Sequence, residues 1–267
     1  MRHIFKAAAI QMDCVLGDKD ANMAKAIRLV QEAVDRGAEL IVLPELFNTG
    51  YRVEERDREL AESIPGETIA LLETICRRDR IHIAGSLLEK CNVSGIIYDT
   101  AFLVGPDGWI GSYRKTHLWD KENIRFAKGS SFPVFDLGFA RLGLQICYEI
   151  GFPEGARSLT LQGADIIAIP SAFGKERDYA WDLASRARAL ENGVYLIASN
   201  RSGIERGETE FGGRSRIVDP AGHVLAEAKQ PDEVVVAELD LEFIAVQRTR
   251  IPYLRDLNRP LMRTLYD

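Results

Sequence analysis

The chain has 267 residues, with 34 Lys and Arg against 40 Asp and Glu, a net charge of −6 and 46% hydrophobic residues. That length allows one large domain or two small ones and can bury a sizeable core. The acidic balance argues against nucleic acid or an anionic membrane as a partner, and no run approaches the roughly 20 apolar residues that span a bilayer.

The N-terminus, Met1-Arg-His-Ile-Phe-Lys6, leads into a short apolar strand and not a signal peptide. Ala7 to Met12 reads as a buried strand. Asp20 to Arg36 is helical in pattern, with Met23, Ile27, Val30 and Val34 on one face and Gly37 at the C-terminal cap. Leu40 to Phe47 is a second buried strand with Glu45 near its end. A charged connection over 54–62 and a helix from Glu67 to Arg80 follow, then a strand from Ile81 to Leu88. Gly95 to Val104, a Pro-Asp-Gly turn at 106–108 and Trp109 to Leu118 predict a β-hairpin with Lys115 on its second strand.

Phe132 to Leu137 and Arg141 to Cys147 give two more strands. Pro153 suits the first turn of a helix that ends at Gly163. Asp165 to Pro170 is strand, Ala180 to Asn192 helix, and Val194 to Asn200 strand. A Gly-rich loop (Gly203, Gly207, Gly212, Gly213) leads to strands at 214–218, 223–228 and 232–239. The Arg- and Pro-rich stretch 241–267 reads as an extended tail. No linker divides the chain, so one domain over 1–267 is expected. Many apolar strands interrupted by helices predict an α/β fold, two packed sheets with helices outside.

Cys14, Cys76, Cys91 and Cys147 form no CxxC pair, which speaks against a zinc site or disulfide scaffold and for the cytoplasm. Three residues stand out as chemically expensive. Glu45 lies in Ile41-Val-Leu-Pro-Glu-Leu-Phe47, where an unpaired carboxylate is costly. Lys115 sits among aromatic and apolar groups. Cys147 ends an apolar strand just before backbone N–H groups free to face a ligand. Each has a bland reading when taken alone: a strand-end Glu in water, an exposed Lys, a small buried thiol. Together they offer one chemistry. A carboxylate takes a proton from the thiol, the thiolate attacks a carbonyl or nitrile carbon, and an ammonium with a backbone N–H stabilises the oxyanion.

Pro44-Glu45-Leu46, Arg114-Lys115-Thr-His-Leu-Trp119 and Ile146-Cys147-Tyr-Glu-Ile-Gly-Phe-Pro-Glu154 resemble, in order and spacing, the three signature segments of the nitrilase (carbon–nitrogen hydrolase) superfamily. The resemblance covers nearly the whole chain. It implies a four-layer α-β-β-α sandwich, a Glu-Lys-Cys triad, no metal or other cofactor, and a homodimer or larger homo-oligomer with the tail at an interface. Carried over, Glu45 matches the general base, Lys115 the oxyanion-stabilising lysine, Cys147 the nucleophile, the Tyr148 N–H a second oxyanion donor and Glu122 a substrate-positioning carboxylate. Tyr51, Trp119, Glu149, Gly151, Phe173 and Asn200 are candidate pocket residues, with Tyr179 and Trp181 as further aromatics.

The expected substrate is a small primary amide, cleaved to acid and ammonia through a thioester. Relatives often carry Asp and Arg where this chain has Glu149 and Gly151. The missing arginine favours a neutral or amine-bearing amide over an N-carbamoyl amino acid, unless Arg177 or Arg201 compensates. A nitrile or an N-carbamoyl amine remains an alternative for the same triad. Rival readings are a Cys–His pair using His117, and an inactive binding protein of the same fold.

Overall fold

The computed structural model describes residues 4–91, 93 and 95–264. The first three residues and the last three of the predicted tail lie outside the described residues. Two half-sheets of matching plan form the centre. In the first, β1 (Ile4–Asp13), β2 (Leu40–Val42) and β3 (His82–Lys90) run parallel. The hairpin of β4 (Ile97–Gly105) and β5 (Gly108–Arg114) extends it antiparallel. In the second, β6 (Val134–Asp136) pairs antiparallel with β7 (Arg141–Leu144), which runs parallel to β8 (Ile166–Ser171) and β9 (Tyr195–Ser202). A small hairpin, β10 (Ile204–Glu205) and β11 (Thr209–Glu210), stands apart. β12 (Arg216–Val218) and β13 (Val224–Glu227) close the second half beside β9, and β14 (Glu233–Asp240) lies antiparallel to β1. A short pairing of Met12 with Arg201 and Asp13 with Ser202 joins the halves.

Strand alternation builds the layers. Ala7 and Ala9 of β1 face the space between the sheets, where Leu40, Val42 and Leu103 meet Leu142, Leu144 and Ile167. Ala8, Ile10 and Met12 face the opposite way, toward helices. There α1 (Lys19–Asp35) and α3 (Glu67–Asp79) present Leu29, Val30, Ile69 and Leu72. Between them in sequence, α2 (Asp57–Leu60) is a single turn, as is α4 (Glu122–Arg125) further on. Against the other sheet, α5 (Pro153–Leu161) and α6 (Asp178–Asn192) bury Ala156, Leu159, Trp181 and Ala189. The result is the expected α-β-β-α sandwich.

Three local expectations need correction. The hairpin ends at Arg114, so Lys115 stands one residue past β5. Its N–H still bonds the Asp99 carbonyl at 2.9 Å, but the next two N–H groups leave the ladder for the Glu149 carboxylate. The β7 strand stops at Leu144, and Cys147 opens a 3-10 turn, Cys147–Gly151, before α5. The tail is helical rather than extended: α7 (Glu242–Arg250), α8 (Tyr253–Asp256) and α9 (Arg259–Thr264).

Candidate active site

The parallel strands all deliver their C-terminal ends to one place, the usual location of ligand chemistry in open α/β sheets. Glu45 follows β2, Cys147 follows β7 and Ala172 follows β8. Lys115 follows β5 and meets them from the hairpin. Leu46 and Cys147 both hold φ 48. Left-handed backbone is costly for residues with a Cβ and is kept where surrounding structure enforces it. Here it turns the chain sharply just after Glu45 and at the thiol.

Lys115 is the hub. Its ammonium donates to Glu45 Oε1 at 2.6 Å and to Glu122 Oε1 at 2.9 Å, and lies 3.5 Å from Asp99 Oδ2. The three side chains that pair with it are buried, as is Lys115 itself. Burial alone would push the Lys115 ammonium toward neutrality, but Glu122, Glu45, Asp99 and Cys147 outweigh it and hold the pKa well above the lysine range. Glu45 Oε2 accepts the Ala172 N–H at 2.6 Å. Burial pushes this carboxyl up, yet Lys115 and hydrogen-bonding contacts from Asp99 and Cys147 bring it below the usual carboxylate range. The Cys147 thiol is driven well above its ordinary range by burial and then by the Glu45 charge. The resting cluster is thus an anionic Glu45 beside a protonated thiol. The three carboxyls approach one another within 4.8 Å, as metal ligands would, but the Lys115 ammonium supplies the positive charge they share.

Glu122 is fixed at the start of α4. It accepts the Trp119 N–H at 2.8 Å and the Tyr51 hydroxyl at 2.8 Å, besides Lys115. Tyr51 is positioned in turn by Glu205, which accepts the N–H groups of Tyr51 and Arg52 and pairs with buried Arg201 at 2.6 Å. The Tyr51 loop and the Gly-rich loop therefore hold each other. Between them opens a cavity of about 460 Å³, lined by Tyr51, Trp119, Glu122, Arg125, Gly174 and Arg177 among others. Glu122 and Tyr51 connect this cavity to Lys115. Arg125 is engaged by Asp57 at 2.7 and 2.8 Å. Arg177 has no carboxylate partner among the described residues; its guanidinium stands 4.3 Å from the Trp119 ring centre and 5.3 Å from that of Phe173.

Of the predicted pocket residues, Tyr51 and Trp119 line the cavity. Glu149 does not: it is buried and accepts Tyr113 Oη (2.5 Å), Thr116 Oγ1 (2.5 Å) and three backbone N–H groups. It ties the Cys147 turn to the Lys115 loop. Asn200 is also structural, bonding both Phe173 backbone groups and the Gly213 carbonyl. Phe173 is buried against Trp181, Gly151 faces open space, and Tyr179 is 76% exposed. Tyr148 follows Cys147 directly, its ring edge-on to Trp119 at 4.9 Å. His117 stacks on Phe152 at 4.0 Å, with Nδ1 beside Thr116 and Glu149; none of these contacts involves the thiol. Sequence reasoning missed Asp99 and the Ala172 N–H. An acidic residue in Ile97-Tyr-Asp-Thr-Ala-Phe-Leu-Val104 breaks an apolar face just as Glu45 does, and was the available signal.

A carboxylate, a thiol and a fixed ammonium in one dry cluster are the groups that nucleophilic hydrolysis would need. The family model for carbon-nitrogen hydrolases matches residues 6–249, and the chain belongs to that family of enzymes. A protein named nitrilase from Pyrococcus abyssi is 42% identical, over 95% of this chain and 94% of that one. A Xenopus laevis protein named omega-amidase NIT2-A is 36% identical, over 96% of each. Among solved structures, a Helicobacter pylori carbon-nitrogen hydrolase aligns with TM-score 0.92 at 29% identity over 98% of both chains. A mutant amidase from Nesterenkonia sp. AN1, described as showing covalent addition of the acetamide moiety of fluoroacetamide at its active site cysteine, aligns with TM-score 0.86 at 27% identity. That match covers 97% of this chain and 96% of the other. No helix among the described residues is long and apolar enough to cross a membrane.

Proposed function

We propose that the protein hydrolyses a small primary amide to a carboxylic acid and ammonia, with Cys147 as nucleophile, Glu45 as general base and acid, and Lys115 as oxyanion partner. The observation that carries this reading is the Glu45–Lys115 pair at 2.6 Å with the Cys147 thiol beside it, all at the C-terminal ends of strands. Cys147 Sγ attacks the amide carbon while Glu45 takes the thiol proton. The developing oxyanion is met by the Lys115 ammonium and the Tyr148 N–H. Glu45 returns the proton to the departing nitrogen, and ammonia leaves a thioester. Water then attacks with Glu45 as base, the C–S bond breaks and the acid is released. Glu122, held by Tyr51 and Lys115, orients the amide nitrogen. The adduct described at the cysteine of the Nesterenkonia amidase supports a covalent route. The assembly expected of the family is a homodimer or larger homo-oligomer.

A second reading concerns the far end of the substrate. Gly151 favours a neutral or amine-bearing amide, but Arg177 at the cavity offers a cation with no carboxylate partner among the described residues. That observation favours an amide whose other end is anionic, a reading compatible with the ω-amidase names of several relatives. Ammonia release is measured across matched neutral, amine-bearing and carboxylate-bearing primary amides, with nitriles and N-carbamoyl compounds, for the wild type and Cys147→Ala. Turnover of amides that disappears in the variant supports the reading. Turnover confined to nitriles or N-carbamoyl compounds rejects it, and a carboxylate preference abolished by Arg177→Ala selects the anionic substrate.

A further inference from the structure

Asp99 is a fourth ionisable side chain in the cluster, and the proposed amide chemistry leaves it without a task. It sits on β4 on the same face as Ala101 and Leu103, between the sheets, and is completely buried. Its backbone carbonyl takes the Lys115 N–H, so β4 carries Asp99 to the root of the lysine. Around it stand Glu45 after β2, Lys115 after β5 and Glu122 at the start of α4; Glu45 in turn contacts the Cys147 thiol and Glu122 the Tyr51 phenol.

The donors in this cluster are shared unequally. Glu122 receives three: Lys115, Trp119 N–H and Tyr51 Oη. Glu45 receives Lys115 and the Ala172 N–H. Neither Asp99 oxygen has a hydrogen bond of full geometry, and the Lys115 ammonium stays 3.5 Å away. One ammonium cannot neutralise three carboxylates in a dry site, and carboxyls this close do not all ionise. The one that lacks donors is the one that keeps its proton. Burial followed by the Glu45 charge drives Asp99 well above the aspartate range, and its contact with Glu45 acts oppositely on the two partners, raising Asp99 and lowering Glu45.

We propose that Asp99 is a positioning residue for Glu45: a neutral carboxylic acid whose O–H points at the Glu45 carboxylate and keeps it charged and aligned with the Cys147 thiol. The catalytic part of this inference rests on the amidase reading; the protonation of Asp99 does not. With its proton donated toward Glu45, Asp99 stabilises the anionic base before attack. It also makes the protonated Glu45 formed during attack a stronger acid toward the leaving nitrogen.

The test combines infrared spectroscopy with pH profiles. At neutral pH the wild type is expected to show a carboxylic-acid C=O band that is missing from Asp99→Asn. Asparagine keeps the shape, the neutrality and an N–H donor toward Glu45. Asp99→Ala should lower kcat by roughly ten- to a hundredfold, the effect of losing a hydrogen bond to a charged group. It should also move the acid limb of kcat/KM up by about one pH unit. Asp99→Asn should rescue most of that loss with the limb where the wild type has it. If Asp99→Ala does not fold, the asparagine variant still decides the matter. No carboxylic-acid band lost in Asp99→Asn, or an acid limb moved down in that variant as if a negative charge had been removed, overturns the proposal. A wild type that shows the band yet turns over no amide rejects the amidase reading and supports the protonation of Asp99.

Discussion

Replacing Lys115 by Met tests the electrostatic core of the site. The ammonium contacts Glu45 at 2.6 Å and Glu122 at 2.9 Å, with all three side chains out of water. Methionine fills similar space but leaves two buried carboxylates without their cation. Breaking a buried pair in this way costs about 3–5 kcal/mol. For a chain of this size, at about 2–4 °C per kcal/mol, that is a fall of roughly 6–20 °C in Tm. The sign of the pH dependence follows from Glu45. In the wild type its folded pKa is depressed, so it contributes stability above the unfolded value of about 4.3, and that stability is lost as pH falls through the folded value. In the variant the Lys115 attraction is gone and burial outweighs the remaining hydrogen bonds to Glu45, so the folded pKa lies above the unfolded one and the penalty grows as pH rises from the unfolded value to the folded one. Thermal unfolding of both proteins from pH 4 to pH 8 should show the gap widest at neutral pH and closing toward pH 4. Equal Tm values at pH 7, or a gap that does not change with pH, would refute the reasoning.

Three further outcomes are expected. Tyr51→Phe removes the 2.8 Å bond to Glu122; kcat/KM should fall about tenfold with Tm nearly unchanged, whereas unchanged kinetics would deny Glu122 its positioning task. Glu149→Ala strips the acceptor from three backbone N–H groups and the Tyr113 and Thr116 hydroxyls. It should destabilise the fold by about 3 kcal/mol or more, and a wild-type Tm would show that this carboxylate does not tie the two loops. Glu45→Gln should slow alkylation of Cys147 at least tenfold by removing its base. Labelling of Cys14 and Cys76, whose thiols burial pushes to about 12, should not change, and a uniform effect on all cysteines would point to loosened structure instead.

The cluster of Glu45, Lys115 and Cys147 was legible because two charged side chains lie in apolar segments, the thiol ends an apolar strand before a turn, and the segments come in a family order. The packed sheets were legible from the many apolar strands interrupted by helices, and the four layers from the family resemblance; only the structure separates Ala7 and Ala9 from Ala8 and Ile10 on opposite faces. Glu149 lies two residues from Cys147 and Asn200 ends a buried strand, and both were expected in the pocket. Their partners, Thr116, Tyr113 and Gly213, lie on distant segments, and nothing local tells a carboxylate that binds substrate from one that binds a neighbouring loop. The tail misled for a related reason. In α7 only Ile244 and Gln247 are buried, so no apolar stripe marks the helix, and its Arg-rich composition resembles a solvated strap. Asp99 escaped notice because the hairpin was taken as a frame for Lys115 rather than as a second supplier of polar groups.

The resting charges constrain how the proposed reaction would start. An anionic Glu45 beside a neutral thiol is a mismatched pair: the carboxylate is held below its usual range while the thiol is held well above its own. Proton transfer before substrate binds is therefore uphill, and a standing thiolate would place another negative charge beside Glu45. Attack removes the obstacle. In the proposed reaction, as the S–C bond forms, the negative charge would pass from sulfur to the substrate oxygen and to Lys115 as its partner, and the proton would move to Glu45 without adding net charge to the dry site. Proton transfer and bond formation should thus be coupled. Ultraviolet difference titration of wild type against Cys147→Ala should show no thiolate band at neutral pH, with one appearing only well above the ordinary cysteine range of about 8.5. A thiolate band at neutral pH would mean a preformed ion pair, and the coupled start would have to be abandoned.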